Sequence, residues 1–309
     1  LNLLPGANNI RAVALNSQRT ESEPDEILVN YNSGAQANTP PVLNNGATGP
    51  VATVDKDATM HLVVVGINAY KNPKMSLNYA LADATAFKNE AEKDAKTITT
   101  NLKTYFVTDA QADKNGITAA FAEVQKNAKP QDVFVFYYAG HGVISDKNKE
   151  FYLVPTDVTD LQNVDEALAQ SGIPSKMLQR YAIDIPAQKQ VFILDACQSA
   201  GAFQQLMSND ANQQKNLAVV ARSTGTHWIA ASGSQQFAQE FGQLGHGAFT
   251  YVLLKAMQGE AANNKMITVN GLKNYLQTQV PDLMKKYNGA PQYPASYGFG
   301  NDFPVELMK

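Results

Sequence analysis

Val133-Phe134-Val135-Phe136-Tyr137-Tyr138-Ala139-Gly140-His141-Gly142 and Val191-Phe192-Ile193-Leu194-Asp195-Ala196-Cys197 decide the fold of this chain. Each begins as an unbroken apolar run rich in β-branched and aromatic residues, the pattern of a strand buried on both faces. Each then stops at small and polar residues, one carrying an imidazole and the other the only cysteine of the 309 residues. Strands buried on both faces belong to parallel sheets covered by helices. In an open sheet of that kind, ligands bind beyond the carboxyl ends of the strands. His141 and Cys197 both stand there.

The segments around these runs alternate between strand and helix patterns. His61-Leu62-Val63-Val64-Val65-Gly66 reads as a buried strand, and Ala80, Ala84, Phe87 and Ala91 fall on one face of a helix over about 78–96. A strand near 102–108 and a helix near 117–128 precede the His141 strand, predicted over 132–138. A short strand at 151–154 and a helix at 174–181 precede the Cys197 strand, predicted over 190–194. The stretch 203–226 is polar and reads as an exposed loop, with a short helix around 217–222. A strand at 228–231 and helices at 247–258 and 269–280 follow. Alternation of this kind implies an α/β domain with a largely parallel sheet covered on both faces.

The first residues differ. Asn9–Asn16 and Glu26–Tyr31 alternate as two strands, too few to hold a core alone. They read as the last hairpin of a truncated β-sandwich or as an arm of the main domain. Residues 33–58 have linker composition, and the main domain is expected over 59–309. The chain starts at Leu1 within a strand pattern, which suggests that something precedes it. A formal charge of -3 gives no electrostatic footprint for nucleic acid. No apolar run reaches the roughly 18 residues of a membrane span. The abundance of Asn, Gln, Thr and Ala leans toward a bacterial extracytoplasmic protein.

The chemistry rests on few residues. A thiol needs a base or a cation nearby to act as a nucleophile near neutral pH. Cys197 could instead be a small buried hydrophobe, as most lone cysteines are. Its neighbours Asp195 and Gln198-Ser199 are polar, which favours the nucleophile. His141 lies between two glycines and is the candidate base. His246, also between glycines, precedes an apolar helix and reads as a helix-start residue or the wall of a subsite. His61 and His227 read as structural. No metal-ligand spacing of His or Cys is present. Asp83 would sit near a helix N-terminus, where a carboxylate is favoured by the dipole. Asp195 precedes Cys197 by two positions and shares its face if extended geometry continues. A carboxylate there would disfavour a thiolate unless engaged elsewhere, for example by a cationic substrate side chain.

In order along the chain, the blocks Val65-Gly66-Ile67-Asn68-Ala69-Tyr70, Leu77-Asn78-Tyr79-Ala80-Leu81-Ala82-Asp83-Ala84, Tyr138-Ala139-Gly140-His141-Gly142, Leu194-Asp195-Ala196-Cys197-Gln198-Ser199 and Gly245-His246-Gly247-Ala248-Phe249-Thr250 resemble caspase-like cysteine peptidases. The resemblance is to bacterial metacaspases (orthocaspases), within the clan that holds gingipains, clostripain and separase. It runs from about His61 to the end. It implies a three-layer α/β/α sandwich, with residues 1–32 as the end of an Ig-like module. It implies His141 as general base and acid, Cys197 as nucleophile, and the Gly142 and Cys197 N–H groups as oxyanion hole. Asp83 and Asp195 match metacaspase positions that line the S1 pocket, so protein or peptide substrates with Arg or Lys at P1 are implied.

Departures from the pattern are visible. Ala139 replaces the metacaspase serine before Gly-His-Gly. Val154-Pro155-Thr156-Asp157 is present, but the later acidic run of calcium-dependent relatives is replaced around Ile173-Pro174-Ser175-Lys176, and Gln204 stands where a calcium aspartate would be. No cofactor is therefore expected, and Asp157, Asp160 and Asp165 read as a solvated acidic loop. Lys215 and Arg222 in the polar 203–226 loop are candidate self-cleavage sites. Two alternatives stay open: a non-proteolytic scaffold built on the caspase fold, and a peptidase of the same clan with a non-basic P1 preference.

Overall fold

In the computed structural model of the chain, the described residues are 6–12, 25–31, 53–160, 162–197, 199, 225–231, 240–241 and 243–308. They fall in two compact units, Leu1–Pro40 and Pro41–Lys309. In the first unit, β1 (Gly6–Ala12) and β2 (Asp25–Tyr31) pair antiparallel, Gly6 opposite Tyr31 and Ala12 opposite Asp25. The first strand is described as far as Ala12, and its predicted continuation to Asn16 lies outside the described residues.

The second unit begins with β3 (Thr59–Gly66), α1 (Ala80–Ile98), β4 (Asn101–Thr108), α2 (Lys114–Asn127) and β5 (Val133–Ala139). A small antiparallel sheet follows, made of β6 (Gly142–Ile144), β7 (Phe151–Leu153) and β8 (Ile173–Pro174), with α3 (Val164–Ser171) between the last two. Next come α4 (Ser175–Asp184), β9 (Lys189–Asp195), β10 (Gly225–Ala230) and the short pair β11 (Glu240–Phe241) and β12 (His246–Gly247). The chain ends with α5 (Ala248–Lys255), β13 (Met266–Thr268), α6 (Val269–Lys286), β14 (Ala295–Phe299) and β15 (Pro304–Leu307).

The central sheet has the order β14-β10-β9-β5-β3-β4, parallel except for β14, which runs antiparallel to β10 at one edge. Alternation of side chains splits it into two cores. Phe134, Phe136, Tyr138, Phe192 and Trp228 face α2 and α4, where Phe192 stacks on Trp228 at 4.1 Å and Phe121 on Tyr181 at 4.2 Å. Val135, Tyr137, Val191, Ile193 and Ile229 face α1, α5 and α6. Both faces are covered, which is why the strands read as continuous apolar runs rather than alternating ones. The architecture is a three-layer α/β/α sandwich. Among the described residues, no helix is long and apolar enough to cross a membrane.

Three elements depart from the sequence reading. Asp157 and Asp160 lie outside any helix, as read, but Asp165 lies with Glu166 in the first turn of α3, where acids are favoured. The helix predicted over 269–280 continues to Lys286 through Pro281, because Val280 and Met284 extend the buried stripe of Leu272 and Leu276. Burial of that stripe outweighs the backbone hydrogen bond that a proline removes. The helix predicted over 247–258 is α-helical only to Lys255, and the wider turn at Ala256–Glu260 that follows contains Gly259 at φ 112°.

The C-terminal strand docks through a costly residue. Asp94 of α1 is buried, neither of its oxygens has a hydrogen-bond partner, and the Oε2 of buried Glu306 on β15 has none either. Burial, then the charges of Glu306 and Glu90, push the Asp94 carboxyl up to about 8. The folded protein thus keeps a proton that the unfolded chain releases near pH 4, and stability falls as pH rises from about 4 to about 8. Asp94→Asn removes that loss. Its unfolding free energy is expected to exceed the parent's by an amount growing over this window to on the order of a few kcal/mol, measured by urea denaturation at pH 5 and pH 8.

Candidate active site

The registry of the sheet brings the two motif strands together. β5 and β9 are parallel neighbours with Ala139 opposite Asp195, the last residue of each, and the Gly140 N–H donates to Asp195 O at 3.2 Å. His141 and Cys197 each stand two residues past that aligned end. Adjacent strands are about 4.8 Å apart, so two residues distant in sequence emerge side by side. Gly142 confirms the approach: a Cβ on it would lie 2.7 Å from the Cys197 carbonyl oxygen and 2.7 Å from Phe151 Cε2. Strand geometry ends at Asp195, Ala196 forming a bend and Cys197 a turn. The alternation argument that would put Asp195 and Cys197 on one face therefore does not reach the cysteine.

His141 is held at three points. Its N–H donates to the Tyr70 hydroxyl at 2.8 Å, and its carbonyl accepts from the Tyr138 hydroxyl at 2.9 Å. Burial raises both phenols far above their ordinary pKa, so they remain protonated. The third point is the ring, whose Nε2 lies 2.7 Å from the carbonyl oxygen of Met75. A carbonyl only accepts, so Nε2 carries the proton and Nδ1 is the basic nitrogen of the neutral imidazole. The Tyr70 ring packs on the imidazole at 4.9 Å.

The segment bearing Tyr70 and Met75 is itself fixed by side-chain amides and a carboxylate. Asp109 accepts from the Asn68 and Ala69 N–H groups, and Asn68 accepts from Leu81 N and donates to Asn78 O. Asn72 caps the turn Pro73–Met75 through Lys74 N and donates to Thr159 O. These polar residues turn the chain after β3 so that the Met75 carbonyl points at His141.

On the α1 face of the sheet lies a second, acidic group. Asp195, 8 % exposed, accepts through Oδ2 from the Thr250 hydroxyl at 2.6 Å, and Thr250 meets the Tyr137 hydroxyl at 2.6 Å. Since Thr250 donates to the carboxylate, Tyr137 donates to Thr250. Asp83, 3 % exposed on the first turn of α1, accepts from the Gly247 N–H at 3.0 Å and meets His246 Nδ1 at 2.6 Å. Asp195 and Asp83 both raise the pKa of buried Tyr137, burial being the larger cause. The two carboxylates thus share one neighbourhood. The His246 imidazole is raised above its ordinary pKa by its hydrogen bond to Asp83, against the effect of burial.

The sequence and the fold match a known domain. A family model described as the caspase domain of the C14 peptidases covers residues 59–297. The chain belongs to the caspase-domain family. That makes it, in broad class, a cysteine peptidase. Among solved structures, the caspase domain is similar to caspase-1 from the insect Spodoptera frugiperda. That match has 11% identity and a TM-score of 0.56, covering 85% of this chain and 95% of the other. A Geobacter sulfurreducens protein is similar at 16% identity and a TM-score of 0.53, covering 81% of this chain and all of its own. At these identities the likeness is one of fold. No curated protein matches the sequence significantly.

Other residues singled out in the sequence lie apart from this caspase-domain site or outside the described set. Asp157 accepts from Lys114 N, Asp160 from Gln162 and Asn163, and Asp165 from the Ser145 hydroxyl, so the three acids serve three separate local contacts. His61 pairs with Asp132 at 3.1 Å and His227 with Lys273 at 2.8 Å, both in the N-terminal halves of their strands and away from the carboxyl-end edge of the sheet. Lys215, Arg222 and Gln204 are outside the described residues, as is the helix expected near 217–222. The sequence reading gave no role to Tyr70, Met75 or Thr250. Tyr70 and Thr250 were visible as polar residues inside the matching blocks. Met75 acts through its backbone, which no side-chain pattern can signal.

Proposed function

We propose that this caspase domain is a cysteine endopeptidase in which His141 and Cys197 form the catalytic dyad and Asp83 and Asp195 hold an Arg or Lys at P1. The observation that carries this reading is the aligned end of β5 and β9, with His141 and Cys197 each two residues beyond it. In the cycle, His141 Nδ1 takes the thiol proton and the Cys197 thiolate attacks the carbonyl carbon of the scissile bond. The tetrahedral oxyanion collapses to a thioester as the imidazolium gives its proton to the departing amine. Water then attacks the thioester, its proton passing to His141, and the carboxylic acid and thiolate leave. The Met75 carbonyl keeps the ring in the tautomer this needs and stabilises the imidazolium.

Protein or peptide chains are the substrates. The basic P1 preference is supported by two buried carboxylates, Asp83 and Asp195, gathered on the same sheet face. Cleavage at Lys215 or Arg222 would separate a large segment from a small one and is part of the same proposal.

The Gly142 and Cys197 N–H groups are assigned to the oxyanion. Gly142→Ala forces its methyl against Cys197 O and Phe151, which displaces one of the two donors. A loss of about 10²–10³ in kcat is expected, with a stability loss of about 1–3 kcal/mol from overpacking. Steady-state kinetics beside a urea melt separates the two.

The reading as a whole is tested with matched fluorogenic peptides ending in Arg, Lys, Asp or Leu. Turnover after Arg and Lys is expected. Turnover only after Asp or Leu would remove the S1 assignment, and no turnover of any peptide by folded protein would favour a scaffold role.

A further inference from the structure

His246 lies on the solvent side of the Asp83 carboxylate. Its side chain is 24% exposed and that of Asp83 is 5% exposed, with Nδ1 and Oδ1 2.6 Å apart. Gly245, at φ 66° with open space where a Cβ would be, turns the chain into β12. Gly247 then caps α5, and its N–H reaches both Asp83 oxygens at 3.0 and 3.3 Å. The backbone donor and the helix start hold the carboxylate in one place. The imidazole is the part of this arrangement whose charge can change.

We propose that His246 is a specificity-determining residue, its imidazolium and a basic P1 side chain competing for the Asp83 carboxylate. The proposal rests on the basic-P1 reading above. Two cations beside one anion repel each other, so a bound P1 cation weakens the hold of His246 on its proton, and the proton weakens the hold on P1. Among the described residues, Asp83 from α1 is the charged group acting on His246. Behind Asp83 stand Asp195 from β9 and the Tyr137 phenol from β5, which burial keeps protonated, while α5 adds the uncharged Thr250. Removing the proton from His246 therefore leaves the pocket more negative. Two unit charges several ångströms apart in a partly buried site interact by enough to change affinity roughly tenfold.

His246→Asn is the informative variant, because the Asn amide can still donate to Asp83 while carrying no charge. The experiment compares full-length parent and His246→Asn on two peptides, one with Arg at P1 and one with citrulline, its uncharged near-isostere. Kinetics are run from pH 5 to pH 8.5. On the Arg peptide, the ratio of parent to variant kcat/KM is expected near one at high pH. It should fall roughly tenfold toward low pH, chiefly through KM. On the citrulline peptide the ratio is expected to stay flat.

An Arg ratio that does not change with pH overturns the proposal and leaves basic P1 recognition standing. Failure of both proteins to cleave after Arg, while cleaving other peptides, overturns basic P1 recognition and this proposal with it. If the variant does not fold, the His246 imidazole proton is followed by NMR in the Cys197→Ala protein. Its pKa must drop when an Arg-P1 peptide binds and not when the citrulline peptide does. An unmoved pKa overturns the proposal.

Discussion

Peptide hydrolysis by this chain is expected to fall by about four to six orders of magnitude when Cys197 is replaced by alanine. His141→Ala is expected to fall by a comparable amount. The reason is that the two groups act as one unit. A thiol without a base is mostly protonated near neutral pH, and an imidazole without a thiol has no nucleophile to activate. The double variant should then be little worse than either single one, and that non-additivity is the sharper test. Additive losses would mean that the two residues act separately, and the dyad would have to be abandoned. Neither change should unfold the protein. Cys197 lies past the end of β9, and His141 packs its ring on Tyr70 at the surface of the sheet edge rather than in either core. Single-turnover assays at high enzyme concentration give the range needed, with circular dichroism as the check on folding.

The second large effect is expected at Asp195. Asp195→Asn should lower kcat/KM for Arg and Lys peptides by a factor corresponding to about 2–5 kcal/mol, while peptides with uncharged P1 residues change little. The magnitude follows from burial: Asp195 is 8 % exposed, and a guanidinium placed against it would be desolvated and left with Asp83 as its one carboxylate in the variant. Thr250 matters here. It donates to Asp195 and receives from Tyr137, a chain whose direction the negative charge sets. An Asn amide turned toward Thr250 would reverse that chain without breaking it, so the variant should fold and lose specificity rather than structure. An equal loss on charged and uncharged P1 peptides would show that Asp195 supports the nucleophile and not the pocket. Thr250→Val extends the test, because it removes the donor and leaves the charge. It should weaken Arg recognition less than Asp195→Asn does.

Much of this architecture is legible in the sequence because its strands are buried on both faces. Residues 133–139 and 191–195 have no solvent face, so their apolar runs announce parallel neighbours and covering helices without any alternation to decode. The residues that carry chemistry stand out for the complementary reason: His141 and Cys197 interrupt such runs where a core would have continued. What escaped the reading is what does not interrupt anything. The turn that presents the Met75 carbonyl is made of ordinary loop residues. The sequence predicts an end to α6 before Pro281, because local backbone preference says stop while the buried stripe through Met284 says continue.

Sequence by itself determined the α/β class, the covered parallel sheet and the identity of the imidazole and thiol at strand ends, since each follows from local burial pattern and from residue chemistry. Only the tertiary structure decided that Ala139 and Asp195 lie opposite each other, that Thr250 satisfies Asp195, and that His246 sits on Asp83. Those are contacts between segments far apart along the chain. They are fixed by strand registry and by the packing of α1 and α5 on one face of the sheet, and neither leaves a mark on the neighbouring residues of either partner.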